Sequence, residues 1–286
     1  MTSEPTGRER QIQSESPPAI QRRPGRIAIL GIPVDSLSLA EAVATIQGWV
    51  AEAAVGEDTA EASRRLHHVV TVNPEFIVEA RRNRAFRSAL QEADLSTPDG
   101  IGVILAARLL GRRLRGRITG VDLVEGMAEA AAGDPAMRLF LLGAGEGIAA
   151  RAATALEERF PGCTIAGTWS GSPAETGFDA IRERLLATKP NLLLVAFGHP
   201  KQDIWIARHQ SDLAAYGIVV AMGIGGALDY IAGEVPRAPA LLRRCGLEWL
   251  FRLIRQPWRW RRQLALPLFV LLVLRERLRP RPSHER

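Results

Sequence analysis

Cysteine is nearly missing: Cys163 and Cys245 are the only two in 286 residues, far apart and without a partner at metal-ligand spacing. That excludes a disulfide framework and a zinc site and fits a reducing compartment. Tyrosine is as scarce, and Tyr216 and Tyr230 belong to no Tyr-x-x-x-Lys pair. No Gly-Lys-Ser/Thr follows a glycine-rich turn, which excludes a P-loop. No apolar stretch precedes Ile27, so no secretory signal is expected, and the protein should stay in the cytosol or on its membrane face. No repeat of solenoid period is visible.

What is present is a chain with 47% hydrophobic and 24% charged residues, enough for one large α/β domain and an appendage. Residues 1–25 mix Pro, Ser, Glu, Gln and Arg without apolar periodicity and read as a disordered leader. The core, 26–236, alternates short apolar runs with helical patterns. Strands are expected at 27–32, 67–72, 93–96, 138–143, 163–168, 191–197 and 217–222. Helices are expected at 38–54, 74–91, 100–110, 120–132, 146–160, 175–187 and 201–214. This rhythm implies a Rossmann-like, mainly parallel sheet with helices on both faces.

The appendage, 237–286, is different. It holds thirteen Arg against three Glu, a charge of +10 in a chain of net +6, so everything before it carries −4. Helical periodicity over 239–256 stops at Pro257; Trp258, Arg259, Trp260, Arg261 and Arg262 follow, then an apolar run from Leu264 to Leu274. Eleven helical residues rise about 16 Å against roughly 30 Å of hydrocarbon, so the run cannot span a bilayer. Flanking Trp and Arg suit an amphipathic helix on an anionic membrane surface. The alternative is a terminal helix docked on its own domain or on another subunit of a homo-oligomer.

Four polar loops end strands, where an open α/β sheet binds ligands. Asp99, between Pro98 and Gly100, is either a general base toward a hydroxyl or an ordinary helix N-cap. Thr71 and Asn73 offer hydrogen-bonding groups, although Asn73 before Pro74 also suits a cap. Gly143 and Gly145 open a helix as a phosphate cradle would, or form a simple tight turn; Ile148 stands where the dinucleotide fingerprint needs a third Gly. Gln202 begins a helix whose dipole favours an anion or a sugar hydroxyl, while Asp203 complements that dipole. Gly223, Gly225 and Gly226 permit close backbone approach to a nucleotide, and Asp229 is placed to hold a ribose or sugar hydroxyl.

Together these residues resemble the bacterial WecG/TagA/CpsF glycosyltransferases, glycosyltransferase family 26, from about Ile27 to Arg262. The resemblance rests on Thr71-Val-Asn-Pro, Pro98-Asp-Gly, Arg117-Ile-Thr-Gly, Leu142-Gly, Gly198-His-Pro-Lys-Gln, Gly223 to Asp229 with Ala232-Gly, Arg237-Ala-Pro, and Gly246-Leu-Glu-Trp-Leu-Phe-Arg. It implies inverting transfer of a hexose from a UDP-sugar to a polyprenyl-diphosphate-linked saccharide at the cytoplasmic membrane face. The donor would be N-acetylmannosamine-type, mannosaminuronic acid or glucose-like.

On this reading Asp99 is the base, and Thr71, Asn73, Arg117 and Gln202 line the sugar and acceptor pocket. Arg237, Arg252, Arg259 and Arg262 close over the site and bind diphosphate, the role a metal plays elsewhere. No Asp-x-Asp pair occurs, so no metal is expected; the resemblance implies neither another cofactor nor a nucleic-acid partner. Two departures stand out: Asp203 replaces the family's usual Glu, and Ser172 follows Gly171 where an aromatic residue is common. The competing functions are a nucleotide-sugar oxidoreductase or epimerase at Gly143, and a non-catalytic membrane adaptor.

Overall fold

The computed structural model describes residues 25–56, 65–239, 241–242, 248–255, 257 and 260–278, and not the side chains of Arg252 and Arg261. The expected leader and Arg259 therefore lie outside the described residues, apart from Gly25. A hairpin of β1 (Arg26–Ile29) and β2 (Ile32–Asp35) opens the fold. Six further strands are β3 (His67–Val72), β4 (Leu95–Pro98), β5 (Arg138–Gly143), β6 (Thr164–Trp169), β7 (Leu192–Ala196) and β8 (Val220–Gly223). They form one sheet in the order β4-β3-β8-β7-β5-β6, and every neighbouring pair is parallel.

Helices cover both faces, which is why β5 and β7 read as almost continuous apolar runs. Alternate side chains go opposite ways. Leu139, Leu141, Leu194 and Met222 pack with α1 (Leu39–Gly56), α5 (Gly120–Gly133) and α6 (Ile148–Arg159). Phe140, Leu142, Leu193 and Val195 pack with α7 (Phe178–Thr188), α8 (Lys201–Arg208) and α9 (Gln210–Ala215). A third cluster joins the hairpin to α2 (Pro74–Glu79), α3 (Arg84–Glu92) and α4 (Ile101–Leu109).

The apolar run 27–32 is two strands rather than one. Leu30 and Gly31 both take positive φ, 52° and 79°, and turn the chain back so that Ile29 pairs with Ile32. The hairpin covers the outer edge of β4. There the Asp35 carboxylate accepts the Ser96 backbone N–H (2.7 Å) and is held by Arg26 (2.8 and 2.9 Å), satisfying an edge donor that has no strand partner. The expected helix over 74–91 is split because Asn83 captures the Phe86 N–H (3.0 Å) and starts α3 afresh.

The appendage contains α11 (Glu248–Arg255), α12 (Trp260–Gln263) and α13 (Ala265–Leu278), after α10 (Ala227–Ile231) closes the core. At 14 residues α13 is about 21 Å long, and among the described residues no helix is long and apolar enough to cross a membrane. Its Phe269 and Val273 are 2% exposed, packed against α2 and α4. Glu276 accepts the Leu30 N–H (3.1 Å) and Arg277 donates to the Leu109 carbonyl, so α13 docks on the core and clamps the hairpin turn. Its other side exposes Val270, Leu271, Leu274 and Leu278.

Candidate functional site

The chain order reverses between β3, which continues outward to β4, and β8, which it reaches only after β5 to β7. At such a switch the loops beyond the strand ends splay apart and leave a crevice. A cleft of about 260 Å³ lies there, lined by Thr71 of β3, by Asn73 and Asp99 just past the ends of β3 and β4, by Arg117 in the loop before α5, and by Gln202 of α8. Gly225 and Gly226 border it after β8, while Glu248, Trp249 and Arg262 roof it from the appendage.

Asp99 is not the cap of α4. Gly100 occupies the N-cap position, with φ 104° and no side-chain capping bond, while the Asp99 backbone N–H extends the parallel ladder to the Val72 carbonyl (2.8 Å). The half-buried Asp99 carboxyl thus belongs to the cleft rather than to a helix end. Asn73 caps α2, its Oδ1 accepting the Phe76 N–H (3.1 Å), and the residue also stands in the cleft wall. Gln202 Oε1 accepts the Gly225 N–H (3.0 Å), fixing the turn after β8.

Two latches of opposite sign join appendage to core. On one side Arg117 donates to Glu248 (3.1 Å). On the other Arg262 lies 3.2 Å from Glu75 and 2.6 Å from His199, whose ring packs on Phe76. Arg237, expected to bind diphosphate, is not among the residues that line the cleft and is instead bound to Asp122 (2.5 Å) with Glu125 at 3.9 Å. Burial alone would raise the Asp122 carboxyl, but hydrogen bonds from Arg237 and Thr119 outweigh it and hold it below the ordinary range. The same pair raises Arg237 against its own burial.

The remaining expected residues are placed elsewhere. Gly143 and Gly145 end β5 outside the cleft lining, and a Cβ at Gly143 would stand 2.7 Å from the Ala196 carbonyl carbon, so strand packing already requires glycine there. Gly223 lies behind Gln202 rather than at the surface. Asp229 sits in the first turn of α10, where its carbonyl accepts the Val235 N–H (3.2 Å). Glu75 is not singled out by the sequence, and Glu248 and His199 stand inside two of the motifs quoted above without a role of their own; what they do depends on partners more than a hundred positions away, or on packing.

An open, all-parallel α/β sheet with a polar cleft at its strand ends is built to bind a ligand in that cleft. Residues 27–283 match the model of the glycosyl transferase WecG/TagA/CpsF family, and the chain belongs to that family. Its relatives include an N-acetylglucosaminyldiphosphoundecaprenol N-acetyl-beta-D-mannosaminyltransferase of Bacillus spizizenii, 35% identical over 76% of this chain and 82% of the relative. A protein of the same name from Bacillus subtilis is 33% identical over 73% of this chain and 79% of the relative. One from Staphylococcus aureus is 29% identical over 86% and 91%. The chain is thus a glycosyltransferase, and the oxidoreductase and adaptor readings fall away.

Proposed function

We propose that the protein transfers an N-acetylmannosamine-type hexose from a UDP-sugar to a polyprenyl-diphosphate-linked N-acetylglucosamine, with inversion, at the inner face of the membrane. The observation that carries this reading is the convergence of Asp99, Thr71, Asn73, Arg117 and Gln202 on one cleft. The names of the relatives support the acceptor and the sugar transferred.

In this mechanism the Asp99 carboxylate takes the proton of the acceptor hydroxyl as its oxygen attacks the anomeric carbon. The bond from that carbon to the UDP oxygen breaks, and UDP leaves with the electron pair. Arg117 in the cleft wall and Arg262 in its roof stabilise the charge that develops on the diphosphate. Thr71, Asn73 and Gln202 orient the two sugars. The absence of an Asp-x-Asp pair, together with these guanidinium groups, supports a metal-independent reaction. The exposed Val270, Leu271, Leu274 and Leu278 of α13 fit a peripheral membrane contact that brings the cleft to its lipid-linked acceptor.

Purified protein mixed with a panel of UDP-hexoses and a short-chain polyprenyl-diphosphate N-acetylglucosamine, with and without EDTA, tests it. Acceptor-dependent UDP release that survives chelation is expected for one donor. Release without acceptor, or only with divalent metal, contradicts it.

A further inference from the structure

Beneath the cleft lies a polar group that the chemistry above does not use. Asp203, next to Gln202 in the first turn of α8, is fully buried, and neither of its carboxylate oxygens has a hydrogen-bond partner. Among the described residues the basic side chain paired with it is His68 on β3, itself 4% exposed, whose Nε2 lies 3.6 Å from Asp203 Oδ1 and is likewise without a hydrogen bond. A carboxylate shut away from water without partners is costly, so the pair must serve each other. A closure of about 0.7 Å makes this contact a hydrogen bond to the carboxylate.

Gly223, the last residue of β8, is the reason both side chains fit. A β-carbon there would stand 2.4 Å from Asp203 Oδ1 and 2.5 Å from Gln202 Nε2, so the two side chains occupy the space a larger residue would fill. They lie over the strand end from which Gly225 emerges, and Gln202 Oε1 holds the Gly225 N–H. The attachment of α8 to β3 through Asp203 and His68 therefore sets the rotation of its first turn about the helix axis, and with it the direction of Gln202.

We propose that Asp203 and His68 form a buried positioning couple that fixes Gln202 in the floor of the cleft and thereby holds the Gly225–Gly226 turn. This rests on the proposed function only in that Gln202 serves the reaction; the positioning itself is independent of the substrate. Gln202, itself fully buried in the floor of the cleft, carries the effect to the Gly225 turn, and Asp203 and His68 act through it.

Amide hydrogen exchange on the full chain tests the couple without any turnover. Asp203→Asn keeps the shape but not the charge, and is expected to speed exchange at Gly225 about tenfold, to the rate seen in Gln202→Ala, with the Leu194 amide in β7 unchanged. The double variant should exchange no faster than Gln202→Ala alone, and kcat should show the same non-additivity. His68→Leu approaches the pair from the other side with the same expectation. Retained protection at Gly225, or equal acceleration at Leu194, overturns the couple, the latter by reducing it to global stability. Gly225 exchange that responds as expected in a protein with no turnover on any donor upholds the couple and refutes the proposed function.

Discussion

Arg117 and Arg237 converge on one carboxylate: Arg117 Nη1 donates to Glu248 Oε2 at 3.1 Å, and Arg237 Nε stands 4.0 Å from Oε1. Glu248 comes from α11, so the contact ties the appendage to the core while neutralising a cation of the cleft wall.

Diphosphate and Glu248 compete for Arg117 under the proposed function. Releasing a partly exposed ion pair is worth about 1 kcal/mol. Glu248→Gln should therefore tighten UDP binding about fivefold in titration calorimetry. Weaker binding would mean that the latch builds the site rather than obstructing it.

Acid should weaken the fold through Asp122 and Asp94. In both, burial opposes ionisation and is overcome: by Arg237 and Thr119 for Asp122, and by His67, the His68 N–H and Arg65 for Asp94. A carboxyl depressed in the folded state stabilises fully above its unfolded pKa, near 4, and loses that contribution as pH falls through its lower folded value. The melting temperature should drop as pH goes below about 4, and Asp122→Asn should flatten part of that drop. A variant with an unchanged acid profile would contradict the assignment.

The two sides of α13 should separate by mutation. Leu271 is 62% exposed and Leu274 42%, so Leu271→Asp with Leu274→Asp should leave the melting temperature nearly unchanged. Loss of two apolar insertions, about 3 kcal/mol together, should weaken binding to anionic vesicles about a hundredfold. Undiminished co-sedimentation would show that another surface meets the membrane.

The sheet was largely legible because parallel strands covered on both faces leave apolar runs of definite length; β3 and β5 run over 67–72 and 138–143 as expected. What local pattern could not show was where a side chain interrupts it. Leu30–Gly31 hides a hairpin inside an apolar run, and Asn83 splits a helix whose periodicity is continuous. In the cleft, Asp99, Thr71 and Asn73 stand at or just past strand ends that a sequence marks with Pro and Gly, while Arg117 and Gln202 stand just before and at the start of helices α5 and α8. Gly143 and Gly223 misled because glycine needed for close packing reads the same as glycine awaiting a phosphate. The tail's apolar run was readable as either membrane-facing or docked; its helix buries Phe269 and Val273 and exposes Leu271, so it docks with one side and leaves the other free.

The central claim is that Asp99 is the base, and turnover with its matched binding control tests it most directly. Asp99→Asn should lower acceptor-dependent UDP release by a factor on the order of 10² to 10⁴ while UDP affinity stays within about twofold, because only proton removal is lost. Turnover within a few-fold of the native protein would contradict the account.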